Sequence, residues 1–295
     1  MTAVAAAPVV LAAGDLEATF APERGMLGTS LRDRGAELLD RTGGIPLLHP
    51  WANRLTGLRV DSPLLRRDEH GLPIHGLLMG WPHWELREVS SDRLRARVDF
   101  GAHPELLAAF PFPHELELDI ALRLGALTVT TTLIATGDVP VPVSFGYHPY
   151  LRLPGVPRAA WAVGFPARRH LVADERLIPT GVVEPQPAER FALAGRTFDD
   201  GYDGLQEGAA FTLAGGGRRI VVRFERGYPV GQVFAPAGEP FICFEPMTAP
   251  TNALRSGDGL RWIGPGGAFT AVFSIAVTAS PARAPGRPPD RATAL

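Results

Sequence analysis

The sequence predicts an all-β protein, a large antiparallel β-sandwich, and three observations predict it. Leu116, Leu118, Ile120, Leu122 and Leu124 alternate with Glu117, Asp119, Ala121 and Arg123, a period of two that buries one face of a strand. Glycine and proline, 33 and 29 of them, break the chain into short segments throughout. No long stretch carries the periodicity of an amphipathic helix.

The elements follow in order. Val9, Val10, Leu11 and Ala12 read as an opening strand. Residues 95–100 share the strand texture, and residues 105–109 are a short helical candidate. After the alternating run, Gly125 and Ala126 read as a tight turn, and the β-branched segment 127–134 runs back. Residues 199–204 read as a turn or short helix. Segments 211–213, 219–224 and 269–277 are further strands, with the glycines of 215–217 as a hairpin turn. They are not a phosphate cradle, since neither a helix start nor a lysine follows. No linker divides the middle, so residues 1–279 read as one domain. The Pro/Arg/Ala-rich segment 280–295 reads as a disordered tail.

Composition narrows the function. The chain has 295 residues, 45% of them hydrophobic, and a formal net charge of -2, with no electrostatic footprint for nucleic acid or an anionic membrane. All 29 basic residues are arginine. Without lysine, Schiff-base, pyridoxal-phosphate and P-loop chemistries are excluded. The one cysteine, Cys243, allows no internal disulfide or cysteine-based zinc cluster and reads as a small buried hydrophobe. The first 13 residues are apolar but lack a basic flank and are too short to span a membrane, so a cytoplasmic location is expected.

Two stretches offer proton chemistry. His148 in Gly146-Tyr147-His148-Pro149-Tyr150 and Glu245 in Phe241-Ile242-Cys243-Phe244-Glu245-Pro246 each interrupt an apolar, aromatic run and precede a proline. Proline biases the preceding residue toward extended backbone, which fixes the direction of each side chain. Alternation puts Phe241, Cys243 and Glu245 on one strand face, and Gly146, His148 and Tyr150 on one face of the other. A His and a Glu held this way can act as opposed acid and base. The opposing reading is a satisfied core histidine, and a glutamate paired with an arginine such as Arg54 or Arg255.

These stretches lie in an ordered series that resembles the aldose 1-epimerase (galactose mutarotase) family. Phe20-Ala-Pro-Glu-Arg-Gly25, the segment from Gly43 through His49-Pro50 to Asn53-Arg54, and Pro73-Ile74-His75-Gly76 come first. Gly146 to Tyr150, Phe198-Asp-Asp-Gly-Tyr202, and Phe244-Glu-Pro-Met-Thr-Ala-Pro-Thr-Asn252 follow. Each motif is weak alone, and six in order are specific. The resemblance implies a single-domain β-supersandwich and a metal-free, cofactor-free sugar site. It implies His148 as general acid and Glu245 as general base, with Arg54, His75 and one of Asp199 or Asp200 binding the sugar. The chain departs from the family in Leu151-Arg152-Leu153 after the second histidine motif, and in lacking an acidic residue at Gly264-Pro-Gly-Gly267.

Mutarotation needs what such a site offers. A base takes the anomeric proton, an acid protonates the ring oxygen, and the ring recloses on the other face with roles reversed; no electron or group is transferred. His148 suits the acid, because a histidine is expected to titrate near working pH. A sugar also needs an apolar wall, for which Trp81, Trp84 or Phe234 are candidates. The expected partner is a small sugar, with no nucleic acid or membrane, and the protein is expected as a monomer or homodimer. Arg66-Arg67, Arg152 and Arg168-Arg169 raise the alternative of an anionic sugar, such as a hexose 6-phosphate or sulfonated hexose. A non-catalytic sugar-binding module is another alternative, and a glycoside hydrolase using Glu245 with Asp199 or Asp200 is a third.

Overall fold

The computed structural model describes residues 7–58, 62–123 and 125–279. Leu124 of the alternating run and the segment 280–295 lie outside the described residues. Two antiparallel sheets dominate. The nine-stranded sheet runs in the order Glu189–Ala192, Ala162–Phe165, Ala209–Gly215, Arg218–Arg226, Ala268–Ala279, Ala126–Ala135, His114–Arg123, Arg93–Asp99, Glu85–Val89. The alternation anticipated in sequence lies in its strand His114–Arg123, third from one edge: Leu116, Leu118, Ile120 and Leu122 are all buried, while Glu117 and Arg123 are exposed.

The eight-stranded sheet runs Pro179–Gln186, Arg168–Ala173, Phe198–Asp203, Val230–Ala235, Ile242–Met247, Gly146–Tyr147, Leu47–Leu48, with Tyr150–Leu151 also paired to Ile242–Met247. Aromatic side chains join the two sheets. Phe244 of the eight-stranded sheet stacks on Phe211 of the nine-stranded one, with centroids 5.4 Å apart. Tyr147 meets Phe273 at 4.8 Å, and its hydroxyl lies 2.7 Å from Thr131 Oγ1. A four-stranded sheet from Val9–Ala13 to Ala36–Glu37 opens the chain.

The expected strands at 127–134, 211–213, 219–224 and 269–277 occur, each somewhat longer than its sequence signal, and the one expected at 95–100 is Arg93–Asp99, with Phe100 opening a 3-10 turn. The helical candidate at 105–109 is realised as the one-turn helix Pro104–Leu107. The turn or short helix expected at 199–204 is instead the strand Phe198–Asp203. Aspartate and glycine are poor strand formers, but here both neighbours supply ladders, Val230–Ala235 on one side and Arg168–Ala173 on the other. Pro179–Gln186 carried no clear strand signal because it is an edge: its face alternation is lost to solvent, and prolines stand at 179 and 185.

Phe211 is fully buried between the sheets. Phe211→Ala is expected to cost about 3–5 kcal/mol of stability, read from the denaturation midpoint. Val89→Ala, at an exposed edge position, should shift it by less than ~0.5 kcal/mol.

Candidate active site

Strand parity builds the site. Phe244 points into the sandwich, so Cys243, Glu245 and Met247 point to the opposite face of the eight-stranded sheet. Register then carries that face outward: Gln232 lies opposite Glu245, Phe234 opposite Cys243, and Asp199 opposite Phe234. His148 arrives from the other side, in the break between Gly146–Tyr147 and Tyr150–Leu151, with its N–H donating to the Pro46 carbonyl at 3.2 Å. Its ring stacks on Tyr150 at 4.4 Å and meets Phe234 edge-on at 5.8 Å. Gly146 lets the strands approach: a Cβ there would stand 2.7 Å from the Pro246 carbonyl oxygen.

His148 and Glu245 meet. Nε2 of His148 lies 3.2 Å from Oε1 of Glu245, and the two residues are only 5% and 1% exposed. The pair is near but not aligned as a hydrogen bond. Among the described residues, neither carboxylate oxygen nor Nδ1 of His148 has a hydrogen-bond partner. Each such buried atom costs on the order of 1–3 kcal/mol, a cost a core would not retain without use. No arginine pairs with Glu245 among the described residues, so the structural alternative of an Arg54 or Arg255 ion pair does not hold.

Burial drives both groups toward neutrality. Desolvation lowers the His148 imidazole to about 3. Desolvation raises Glu245 well above the usual carboxylate range, with Asp199 adding to the rise and Arg54 opposing it. Burial against Tyr150 and Phe234 thus disfavours the charged imidazole, against the expectation that His148 titrates near working pH.

The other predicted residues divide. Arg54 and His75 come together because Arg54 bridges Ile74 and the His75 N–H donates to the Asn53 carbonyl at 3.0 Å. His75 holds a left-handed backbone, φ 63°, beside Gly76 at φ 70°. A non-glycine residue there carries strain of order 1–3 kcal/mol, as functional residues often do. Its ring sits 5.5 Å from that of His148, and burial, the neighbouring His148, Arg54 and Arg66 push its pKa well down. Arg54 donates to Asp68 at 2.7 Å and Glu69 at 3.1 Å, and lies 3.7 Å from Asp199. Asp199 Oδ1 accepts from Gln232 at 2.6 Å.

Parity separates the two aspartates. Asp200 points to the other face of its strand, with Oδ1 3.2 Å from His170 Nε2, so it is apart from the pair. Trp81 and Trp84 are buried in the core and form no wall at the pair. Phe234 and Tyr150 flank it instead. Of the arginines noted in sequence, Arg168 packs on Phe165 and Tyr202 on the sandwich side and Arg169 is forked to Asp203. Arg66 lines a cavity of about 310 Å³ with Tyr150. Asp68 and Gln232, which hold Arg54 and Asp199, carried no sequence signal, because each is recognisable only once distant strands are paired. Among the described residues no group of three or more His, Cys, Asp or Glu side chains is arranged to hold a metal ion, and no helix is long and apolar enough to cross a membrane.

The family model described as aldose 1-epimerase matches residues 29–276. The chain belongs to the aldose 1-epimerase family. It is 25% identical to YihR of Escherichia coli K12, an uncharacterized protein, over 90% of this chain and 92% of that one. The fold is similar to that of a galactose mutarotase-like protein from Clostridium acetobutylicum, with a TM-score of 0.79 and 18% identity over 92% and 95% of the two chains. It is also similar to the Slr1438 protein from Synechocystis sp. PCC 6803, with a TM-score of 0.76 and 23% identity over 95% and 98%.

A stability test follows from Glu245. Its carboxyl is ordinary, near 4.5, in the unfolded chain and raised in the folded one. The folded state therefore favours the protonated form: that stabilisation is complete below the unfolded value and is lost as pH rises through the folded one. Glu245→Gln keeps the shape and removes the charge. It is expected to stabilise the protein by about 1–3 kcal/mol above pH 7 and to converge with wild type near pH 4, in thermal melts across pH. An unchanged or lower Tm at pH 8 would contradict this.

Proposed function

We propose that the protein is an aldose 1-epimerase that interconverts the α and β anomers of a free aldose by opening and reclosing its ring, with Glu245 as general base and His148 as general acid. The observation that carries this reading is the buried pair at 3.2 Å, otherwise unpartnered among the described residues. The anomeric hydroxyl and the ring oxygen are bonded to the same carbon. A base and an acid that serve them must therefore be close neighbours, as these two groups are. The carboxylate of Glu245 takes the proton of the anomeric hydroxyl. The imidazolium of His148 gives its proton to the ring oxygen as the bond to C1 breaks. The aldehyde rotates about the adjoining C–C bond, and closure reverses both transfers.

The surroundings support the same assignment. Asp199 and Arg54, held by Gln232 and Asp68, offer charged partners for sugar hydroxyls, and His75 is placed to add another. Phe234 and Tyr150 offer apolar faces for C–H groups. With burial pressing both groups toward neutrality, the working form holds one proton for the pair, carried between carboxyl and imidazole.

A second reading, an anionic sugar as substrate, is favoured by Arg24 and Arg66 in the cavity beside Tyr150. Saturation of anomer exchange by a hexose 6-phosphate, but not by the free hexose, would select it.

Fresh α-glucose and α-galactose, followed by polarimetry or NMR, are expected to equilibrate faster than in buffer. Glu245→Gln and His148→Asn are each expected to reduce the rate on the order of 10²–10⁴-fold. No aldose equilibrating faster than buffer, or wild-type rates in Glu245→Gln, would sink the proposal. The pH profile gives a second check. A second proton adds to the pair only as His148 charges, and the last leaves at the raised Glu245 value. The rate is expected to stay flat from about pH 3 through the ordinary histidine range and to fall above the elevated Glu245 pKa. A limb near 6.5 would show His148 titrating alone.

A further inference from the structure

Among the described residues, no hydrogen bond aims the imidazole of His148. Nδ1 has no partner, and Nε2 lies near Glu245 without being aligned on it. The last torsion of a histidine is broad, so an unbonded ring keeps one plane only if packing holds it there. Other rings do the holding. Tyr150 lies against the imidazole with centroids 4.4 Å apart and planes at 18°. Phe234 meets it at 5.8 Å and 69°, and His75 at 5.5 Å and 86°. The Tyr150 contact is the near-parallel one of the three, and it is therefore the one that a tilt of the imidazole would break.

Tyr150 is itself seated on a pinned turn. Asp40 is buried, and its carboxylate accepts from the Thr42 amide at 3.0 Å and from the Thr42 hydroxyl at 2.6 Å. The Asp40 carbonyl accepts from the amides of Gly43 and Gly44 at 3.4 and 3.1 Å. The backbone of Tyr150 is laced to the same turn: its N–H donates to the Gly44 carbonyl at 2.9 Å, and its carbonyl accepts from the Asp40 amide at 2.8 Å. Gly43 lies against the phenol ring. A Cβ there would overlap Cγ, Cδ2 and Cε2 of Tyr150. Gly43 does not hold a left-handed φ, so the ring and not the backbone excludes a side chain at this position. Phe241 closes the seat edge-on at 5.0 Å. The hydroxyl of Tyr150 is no proton carrier: burial, with Cys243 and Glu245 nearby, pushes its pKa up and keeps it neutral.

We propose that Tyr150, seated on Gly43, is a positioning residue that sets the plane of the His148 imidazole and so keeps Nε2 directed beside Glu245. The proposal rests on the epimerase reading of the pair. It changes no step: the same proton passes between the imidazole and the sugar ring oxygen. A stacked ring fixes the plane while leaving both nitrogens free to exchange protons.

Anomer exchange in Tyr150→Leu, Tyr150→Phe and Gly43→Ala tests it, together with the His148 ring-proton signals in histidine-labelled protein, identified by their loss in His148→Asn. Tyr150→Leu keeps an apolar surface but no stacking face. It is expected to lower kcat about 10–100-fold while KM stays within about threefold. Tyr150→Phe loses only the hydroxyl and is expected to keep kcat within about threefold of wild type. Gly43→Ala leaves Tyr150 in the chain but displaces its ring, and is expected to lower kcat as Tyr150→Leu does. The His148 ring protons are expected to be shifted upfield by the Tyr150 ring in wild type and Tyr150→Phe, and not in Tyr150→Leu. Equal losses in the Phe and Leu variants, an effect on KM alone, or wild-type kcat in Gly43→Ala would overturn the proposal. If no sugar exchanges at all, the epimerase reading fails by itself, and the spectra decide. An upfield shift that Tyr150→Leu removes and Tyr150→Phe keeps would uphold the positioning, and its absence in wild type would end it.

Discussion

The strand Ile242–Met247 is covered on both faces, and its two-residue period gives each face a different task. Phe244 stacks on Phe211 and ties the eight-stranded sheet to the nine-stranded one. Glu245, one residue on, is thereby forced to the opposite face, where it is buried and its carboxylate accepts no hydrogen bond among the described residues. The rest of the site depends on this. A register slip of one residue would put Glu245 into the aromatic core and Phe244 into the site, so the packing that stabilises the fold also fixes the orientation of the carboxylate. Gln232, Phe234 and Asp199 follow from the same ladder, each aimed by its pairing to the next strand.

Electrostatics of the site come from enclosure more than from opposed charges. Arg54, the nearest cation of the arrangement, is occupied by Asp68, Glu69 and Asp199. Burial would raise Asp68, but hydrogen bonds from the Leu72 amide, Arg54 and the His70 amide hold it low. Arg54 is thus anchored by a firm anion and turned toward Asp199, leaving Glu245 without a permanent counter-charge. His148 is the neighbour that can supply one, and only by taking a proton. A pair of this kind changes charge by internal transfer, which suits a reaction that returns every proton it borrows.

Much of this was legible in the sequence where local pattern decides. The period-two run at 116–122, the β-branched return at 127–134 and the strands at 211–213 and 219–224 announced the large sheet, because each buries one face only. His148 and Glu245 stood out as polar interruptions of apolar runs, and they do lie together. What stayed hidden depends on pairing between distant segments. Residues 199–204 read as a turn or short helix because Asp-Asp-Gly lacks strand propensity, and the ladders of the strand Phe198–Asp203 come from strands on either side. The choice between Asp199 and Asp200 is one of parity, which cannot be set until the register with Val230–Ala235 is known. The desolvation of His148 was hidden for the same reason: Phe234, which packs edge-on against its ring, is distant in the sequence.

Gly146 has a consequence that reaches the chemistry. The backbone at Pro246, immediately after Glu245, passes so close that no methyl group fits between the strands. His148 follows two residues beyond Gly146, and Glu245 stands one before Pro246. Their separation is therefore a backbone dimension, set by a hydrogen atom where other residues have carbon. The proposed acid and base, 3.2 Å apart, are kept near one another by the smallest side chain in the chain.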